Sequence, residues 1–221
     1  MKILINGSEE NFEEFKVKFG ADYDFSFVED ISTVQNQLSK QQFIFDFLID
    51  EQPDNLEFYE NITGPVIFLN CVKTSLAELF FVNGSVIPNV YGFNGLPTFL
   101  NRDLLEVTAY GDEVTTLNNS LNQLSTEFTV VADRVGMVTP RVVLMIINEA
   151  FYTVQEGTAD RGAIDNAMKL GTNYPHGPFE WCQLIGIHHV YETLEAIYED
   201  TKDERYKICS LLKREYLTAH Q

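Results

Sequence analysis

The sequence predicts an α/β domain with a parallel sheet, followed by a domain made only of helices. Up to about residue 135, apolar runs of strand length alternate with helical patterns, which is typical of βαβ units. After Pro140 only helical patterns remain. We therefore place a domain boundary near Val135 to Pro140. A chain of 221 residues is long enough to bury two modest cores.

Apolar runs and the residues that interrupt them define the first half. Lys2–Asn6 is a predicted strand that ends at Gly7, and Ser8 is a plausible N-cap for a helix through Lys18. The remaining predicted strands are 24–28, 43–49, 66–69 and 128–132. The predicted helices are 31–41 and 115–125, and residues 83–98 read as loops and short strands because they are rich in Gly and Pro.

The second half is predicted to contain four amphipathic helices, with their ends marked by capping residues. Asp160 is a favourable N-cap, whereas Gly157 and Gly171 are favourable stops. The predicted helices are 142–155, 161–170, 190–198 and 207–217.

The formal net charge of −18 argues against two classes of partner. Nucleic-acid affinity depends on Lys and Arg that neutralise phosphates, and anionic membrane surfaces attract the same residues. The charge also weakens the case for a polyanionic cofactor, since basic residues are thinly spread. We expect no nucleic acid and no membrane as partners.

The cysteines and the start of the chain indicate a reducing compartment. Cys71, Cys182 and Cys209 are odd in number and widely separated, which is typical of buried free thiols. The opening MKILING is too short for a signal peptide, and no later apolar run approaches membrane-spanning length. We therefore expect a cytoplasmic protein.

The segment from Asp165 to Gly186, DNAMKLGTNYPHGPFEWCQLIG, resembles the C-terminal domain of 3-hydroxyacyl-CoA dehydrogenases. In that family a D-x-A-M-x-x-G-x-x-x-P-x-G-P-F-E run links two helices of an all-α dimerisation domain. The resemblance covers essentially the whole chain. It implies a shortened, degenerate Rossmann-like NAD-binding domain over residues 1–135, and a helical domain over 136–221 that forms a homodimer.

The resemblance also places a dinucleotide-binding loop after the first strand. Gly7 stands at the first glycine of the G-x-G-x-x-G fingerprint, but Glu9 and Phe12 stand at the second and third. Those glycines allow the backbone to approach the pyrophosphate and the helix to pack closely on the strand. Acidic side chains in the first helical turns occupy the electrostatic niche of the phosphates. We therefore expect no cofactor, or NAD if the family's activity survives.

Two further features bear on ligand binding. Asp30 stands where the family has an acidic residue for the adenosine ribose, although an acid after a strand is most often a helix cap or a solvated loop residue. The family also inserts a long helical excursion before the strand at 43–49, where this chain has only about fifteen residues. That excursion contributes to CoA binding in the family.

The resemblance implies an altered catalytic centre. Asn94 stands at the position of the family's His acid/base, and an amide cannot replace an imidazole in proton transfer at neutral pH. Twelve residues further on, Glu106 stands at the Glu that orients the His. Glu106 is either an ordinary carboxylate at a strand end or a residual functional group. Thr74 or Ser75 could keep the family's hydroxyl, whereas Pro140 replaces its catalytic Asn.

We expect no metal site. His188 and His189 are adjacent, but they have neither i,i+4 spacing nor cysteine partners. Two surface or helix-capping histidines are the better interpretation.

Three hypotheses for function follow. The chain is a catalytically impaired member of the family that acts as a binding or assembly subunit linked to acyl-CoA metabolism. Alternatively, it is an active NAD-dependent 3-hydroxyacyl-CoA dehydrogenase with an altered site, or a helper subunit for an active paralogue. Acyl-CoA and that paralogue are the partners, besides a second copy, that these hypotheses imply.

Overall fold

Seven strands of the first half form one mixed sheet. The computed structural model describes residues 1–20, 22–111 and 114–219, which divide into one unit at Met1–Met137 and another that begins at Val138. The strands are β1 (Lys2–Asn6), β2 (Asp24–Val28), β3 (Phe43–Asp46), β4 (Val66–Asn70), β5 (Val90–Phe93), β6 (Leu104–Ala109) and β7 (Glu127–Val130).

The strand order is β2-β1-β3-β4-β5-β6-β7. The first five strands in this order are parallel, as the alternation of strands and helices predicts. β6 runs antiparallel to β5, and β7 is parallel to β6. The carboxyl ends of β1, β3, β4 and β5 therefore meet at one edge of the sheet, where open α/β sheets bind ligands. The predicted Rossmann-like fold class is confirmed.

Helices cover both faces of this sheet. The first unit contains α1 (Glu9–Phe19), α2 (Gln35–Leu38), α3 (Leu76–Asn83) and α4 (Val114–Asn122), with 3-10 helices at Ile31–Val34 and Pro53–Tyr59. Phe15 of α1 and Leu117 of α4 pack in an aromatic-rich core on one face. Leu79 of α3 and Leu56 of the second 3-10 helix pack in the core on the other face.

The second unit contains only helices. These are α5 (Thr139–Gln155), α6 (Arg161–Thr172), α7 (Pro178–Ile185), α8 (Ile187–Thr201) and α9 (Ser210–Ala219), with a 3-10 helix at Glu204–Tyr206. α5 packs against each of the other four α-helices. The buried Asn148 holds the segment before α9 on α5, since its amide donates to the Lys207 carbonyl over 2.9 Å and accepts from the Cys209 N–H over 2.9 Å.

The G-P-F-E turn is a capping device. The Asp165 carboxylate of α6 accepts from the backbone N–H groups of Phe179 (2.8 Å) and Glu180 (3.2 Å) at the start of α7. A Cβ on Gly177 would lie 2.3 Å from the Cβ of Asp165. The motif thus closes the α6–α7 corner, because only a glycine admits the carboxylate to the helix N-terminus.

Some predicted elements were wrong in extent. The helix predicted over 31–41 is a 3-10 turn followed by the four-residue α2, since residues 39–42 have no apolar side chain to bury. The strand predicted over 43–49 ends at Asp46, because its carboxylate accepts from the Leu48 N–H (2.8 Å) and turns the chain. The structure also adds α3, a helix that the sequence analysis did not assign.

None of the described helices has the length and apolar character that crossing a bilayer requires.

Candidate functional site

The loop after β1 is closed by its own side chains. The Ser8 N–H donates to Asn11 Oδ1 over 2.9 Å, and the Asn11 N–H donates to Ser8 Oγ over 3.2 Å, which completes a capping box at the N-terminus of α1. A Cβ on Gly7 would lie 2.9 Å from Asn11 Oδ1 and 3.2 Å from the Phe47 Cβ. Backbone N–H groups that hold a pyrophosphate in a dinucleotide-binding loop are therefore already bonded here.

Phe12, at the third glycine position, is a packing residue. Its ring stacks on Phe27 of β2 with centroids 4.9 Å apart and meets Phe25 edge-on at 6.3 Å. The first turn of α1 carries Glu9 and Glu10. Their negative charges favour the helix dipole and disfavour a phosphate at the same place.

Asp30 caps the 3-10 helix that follows β2. Its carboxylate accepts from the Ser32 N–H over 2.9 Å, and hydrogen bonds from Ser32 lower the pKa of this exposed group. The geometry is that of the ordinary cap considered for this residue in the sequence analysis.

A buried polar network that sequence reasoning missed lies between β1 and β3. Asp46 accepts from the Asn6 amide (2.9 Å) and from the Tyr59 hydroxyl (2.7 Å), and all three side chains are fully buried. Burial raises the pKa of Asp46 and raises the pKa of Tyr59 well above its usual range. Asp46 is the one polar residue in the apolar run FIFDFLI, and a lone acid in a buried strand is a signal of such a network.

Asp50 anchors the turn after β4. Its Oδ2 accepts from the N–H groups of Val72 (3.0 Å) and Lys73 (3.1 Å), while Oδ1 is buried with no hydrogen-bond partner among the described residues. Burial raises the pKa of Asp50 to about 7. Burial, and then the charge of Asp50, raise the pKa of the neighbouring Cys71 thiol well above its usual range. Cys71 therefore stays protonated and is a poor nucleophile.

Both candidate hydroxyls contact Glu78, which forms the capping box of α3 with Ser75. Ser75 Oγ accepts from the Glu78 N–H over 3.2 Å and donates to Glu78 Oε2 over 3.0 Å. Thr74 Oγ1 lies 3.3 Å from the same carboxylate oxygen. The two oxygens of Asp133 accept from the Leu76 and Ala77 N–H groups, each over 2.9 Å. The N-terminus of α3 is thus closed in the same way as that of α1.

Asn94 and Glu106 are brought together by the β5–β6 pairing. Phe93 pairs with Val107, and the next rung follows because the Asn94 N–H donates to the Glu106 carbonyl over 3.0 Å. Their side chains lie on the same face of the sheet, as directly opposed residues do. Both are buried, at 2% and 7% exposure.

Arg102 is a further charged residue near this pair that sequence reasoning missed. Burial lowers the pKa of Arg102, and the negative charge of Glu106 acts in the opposite direction. The guanidinium also lies 4.3 Å from the Phe99 ring centroid. Glu106 is thus a buried carboxylate with a cation nearby.

Asn70 holds the strand end that carries Asn94. Asn70 Oδ1 accepts from the Gly95 N–H over 2.9 Å, and its amide lies 3.3 Å from the Phe47 carbonyl. A Cβ on Gly95 would lie 3.0 Å from the Asn70 side chain. Gly95 is therefore required for this close approach.

The remaining candidate residues lie in the second unit. Pro140 is buried at the N-terminus of α5, where a missing N–H costs no helical hydrogen bond. The rings of His188 and His189 lie 4.0 Å apart at the start of α8. The described part of the chain contains no group of three or more His, Cys, Asp or Glu side chains that could hold a metal ion.

Similarity to known proteins is concentrated in the helical half. Residues 136–220 match the family described as "3-hydroxyacyl-CoA dehydrogenase, C-terminal domain". The 3-hydroxyadipyl-CoA dehydrogenase of Escherichia coli (strain K12) is 44% identical over 87 residues, which are 39% of this chain and 18% of that protein. A probable 3-hydroxybutyryl-CoA dehydrogenase of Bacillus subtilis is 42% identical over 84 residues, which are 38% of this chain and 29% of that protein. The chain therefore matches these curated relatives over less than a third of their length.

The similarity to solved structures extends over both units. FadB2 of M. tuberculosis matches with a TM-score of 0.78 at 16% identity. The match covers 100% of this chain and 94% of the FadB2 chain. The (S)-3-hydroxybutyryl-CoA dehydrogenase PaaH1 of Ralstonia eutropha has a TM-score of 0.74 at 21% identity, over 99% and 94% of the two chains. At these identities the likeness shows the fold.

Proposed function

Because this chain belongs to the 3-hydroxyacyl-CoA dehydrogenase family, of which it is a shortened and divergent member, we propose that it is a catalytically impaired binding or assembly subunit linked to acyl-CoA metabolism. Fold is inherited more readily than activity, so the activity has to be argued from the site.

The closed helix N-termini carry this proposal. A dinucleotide needs backbone N–H groups that point at its pyrophosphate, and in this chain Ser8, Asn11 and Asp133 already satisfy such groups at the two helices that follow β1 and β4. Phe12 fills the position where the fingerprint has its third glycine. The residues present therefore do not fit the NAD of the family.

The acid/base position supports the same proposal. Asn94 lies opposite Glu106, as the family's His would, but a carboxamide has no pKa near neutrality and cannot exchange the substrate proton. The hydroxyls of Thr74 and Ser75 both contact Glu78 in the capping box of α3. A binding role needs neither group.

We further propose that the subunit is a homodimer that associates through its helical domain. Val142 of α5 and Leu170 of α6 are 57% and 87% exposed. Val142 also borders a mainly apolar groove of about 580 Å³ that includes Met145 and Met168. Apolar surface of this kind is typical of a protein interface.

An active NAD-dependent enzyme with an altered site is the second candidate. The observation in its favour is Glu106, which stays buried beside Arg102, although a carboxylate without a role is costly to bury. In this alternative Glu106, with Thr74 or Ser75, performs the proton transfer.

An NADH titration separates the two candidates. We expect no saturable heat signal in calorimetry and no thermal shift at millimolar NADH, and no acetoacetyl-CoA reduction. A family dehydrogenase with an intact glycine loop serves as the positive control. Micromolar binding, or turnover abolished by Glu106→Ala, would contradict the proposal and establish the second candidate. Sedimentation tests the dimer separately, and co-purification of a paralogue from the native source would instead indicate a helper subunit.

A further inference from the structure

An open groove of about 780 Å³ lies on the first unit, between the 3-10 helix Pro53–Tyr59 and α3. Leu56 and Leu79 form its floor, and both belong to the hydrophobic core beneath it. We call this feature the acidic groove. Of the residues discussed as catalytic positions, Thr74 alone lines it, and the glycine loop does not contribute.

The α3 side of the acidic groove exposes large apolar side chains. Phe81 is 86% exposed and Val82 is 79% exposed, although both lie in a helix whose Leu76, Leu79 and Phe80 are buried. Consecutive exposed apolar residues beside a groove are typical of a contact surface, because water-exposed Phe has no benefit for folding.

The charges around the groove are of one sign. Asp54, Glu57 and Glu60 line one wall, and Glu78 lines the other. Every charged side chain among the described lining residues is therefore acidic. An anionic membrane or a nucleic acid would meet these carboxylates with repulsion, whereas a cationic segment would be attracted to them.

We propose that the acidic groove binds a basic amphipathic helix of a partner protein. Apolar side chains at i, i+3/i+4 and i+7 of that helix would pack on Leu56, Leu79 and Phe81, as in other helix-in-groove complexes. Its flanking Lys and Arg would face the carboxylates of Asp54, Glu57, Glu60 and Glu78. The inference does not depend on whether the chain binds NADH, since the groove lies outside the glycine loop.

A designed peptide tests this assignment. The probe is a fluorescently labelled amphipathic peptide of about fifteen residues that contains only Leu and Lys at helical spacing. We expect saturable binding in fluorescence anisotropy with a micromolar dissociation constant. Phe81→Ser with Val82→Ser should weaken it by about tenfold or more. Glu57→Gln with Glu60→Gln should weaken it and reduce its dependence on salt.

Matched variants on α1 provide the controls. Glu9→Gln with Glu10→Gln removes two exposed acids outside the groove, and Val17→Ser changes an apolar residue that is 67% exposed. Both should leave peptide binding within about twofold of the wild-type value.

Equal losses in the groove and control variants, or no binding at millimolar peptide, would overturn the proposal. A dimer that dissociates on Phe81→Ser would assign the groove to a second copy instead. Thermal unfolding verifies that each variant is folded, and NADH titration of the same variants keeps this result separate from the test of function.

Discussion

The N–H of Asn94 donates to the carbonyl of Glu106 over 3.0 Å, so that these two residues face each other across the β5–β6 pair. The pairing places a buried carboxylate opposite a side chain that has no titratable group. The pairing is a backbone property, and it does not depend on which side chain stands at position 94.

Asn94→His should rebuild a coupled pair. The carboxylate of Glu106 lies on the same face and favours the charged imidazole, whereas burial at position 94 disfavours it. We therefore expect the imidazole pKa to be higher than in a variant that lacks the Glu106 carboxylate. NMR of the imidazole signals measures this pKa. The larger ring in a buried position should cost about 1–3 kcal/mol of unfolding free energy.

The double variant Asn94→His/Glu106→Gln is the control for this prediction. Its imidazole pKa should be lower than that of Asn94→His, because the neutral amide at position 106 does not favour the charged imidazolium. An unchanged pKa would mean that the Glu106 carboxylate does not interact with the imidazole at position 94. Neither variant should reduce acetoacetyl-CoA with NADH, since the glycine loop is unaltered.

Phe12→Ala should destabilise the first unit. The substitution removes a ring stacked on Phe27 and leaves a space between α1 and β2, with an expected loss of about 2–4 kcal/mol in urea unfolding. Val17→Ala on the same helix is the control, and its exposed side chain should contribute less than about 0.5 kcal/mol. Equal effects of the two substitutions would show that Phe12 is not a packing residue.

The sequence predicts the fold class well because its signals are local. Apolar runs, Gly7, Asp160 and Gly157 define strands, caps and stops without reference to tertiary structure, and most of the predicted elements are present. The stop predicted at Gly171 was wrong, because α6 continues to Thr172 and ends at Asn173, which adopts the left-handed conformation. Helix α3 was missed because its LAELFFVN sequence is apolar on nearly every side, so that no 3.6-residue period distinguishes it. Phe81 and Val82 remove the period, because they are apolar residues on the exposed side of α3. Both residues line the acidic groove.

The site is less accessible to sequence reasoning because it depends on long-range pairs. Asp133 accepts from the N–H groups of Leu76 and Ala77, which lie more than fifty residues earlier in the chain. No sequence motif predicts this contact. The Asn94–Glu106 pair was expected only through the family resemblance. The closure of the loop at Ser8 and Asn11 depends on a capping box that a Ser-x-x-Asn pattern does not suggest by itself.

Asp50→Asn should flatten the dependence of stability on pH. The folded pKa of Asp50 is about 7, above the ordinary value of 3.8, so the folded state holds a proton that the unfolded state releases. The contribution of Asp50 to stability is therefore full below about pH 4 and is lost as the pH rises to about 7. The decline in wild-type unfolding free energy across this window should exceed that of the variant by roughly 2–4 kcal/mol.

Urea unfolding at pH 4, 5, 6 and 7 measures this difference. The asparagine keeps an oxygen that can accept from the Val72 and Lys73 N–H groups, so the variant should fold. Asp46 and Asp133 also have raised pKa values, but they remain in both proteins and cancel in the comparison. Parallel curves for the two proteins would show that Asp50 is ionised throughout.

Gly177→Ala should disrupt the α6–α7 corner, whereas Gly171→Ala should not. A Cβ on Gly177 would lie 2.3 Å from both Cβ and Cγ of Asp165, and this carboxylate cannot retreat without losing its bonds to Phe179 and Glu180. We expect a loss of about 2–4 kcal/mol, from overpacking and the lost cap together. Gly171 has nothing within 4 Å of its added Cβ and lies in α6, so alanine there should be neutral or stabilising by up to about 1 kcal/mol. Combining Gly177→Ala with Asp165→Gly separates the clash from the lost cap. The double variant should lose less than the sum of the single losses, because glycine at position 165 removes the Cβ, Cγ and Oδ1 atoms that the added Cβ would meet. Additive losses in thermal and urea unfolding would mean that Gly177 is needed for the conformation of the turn alone.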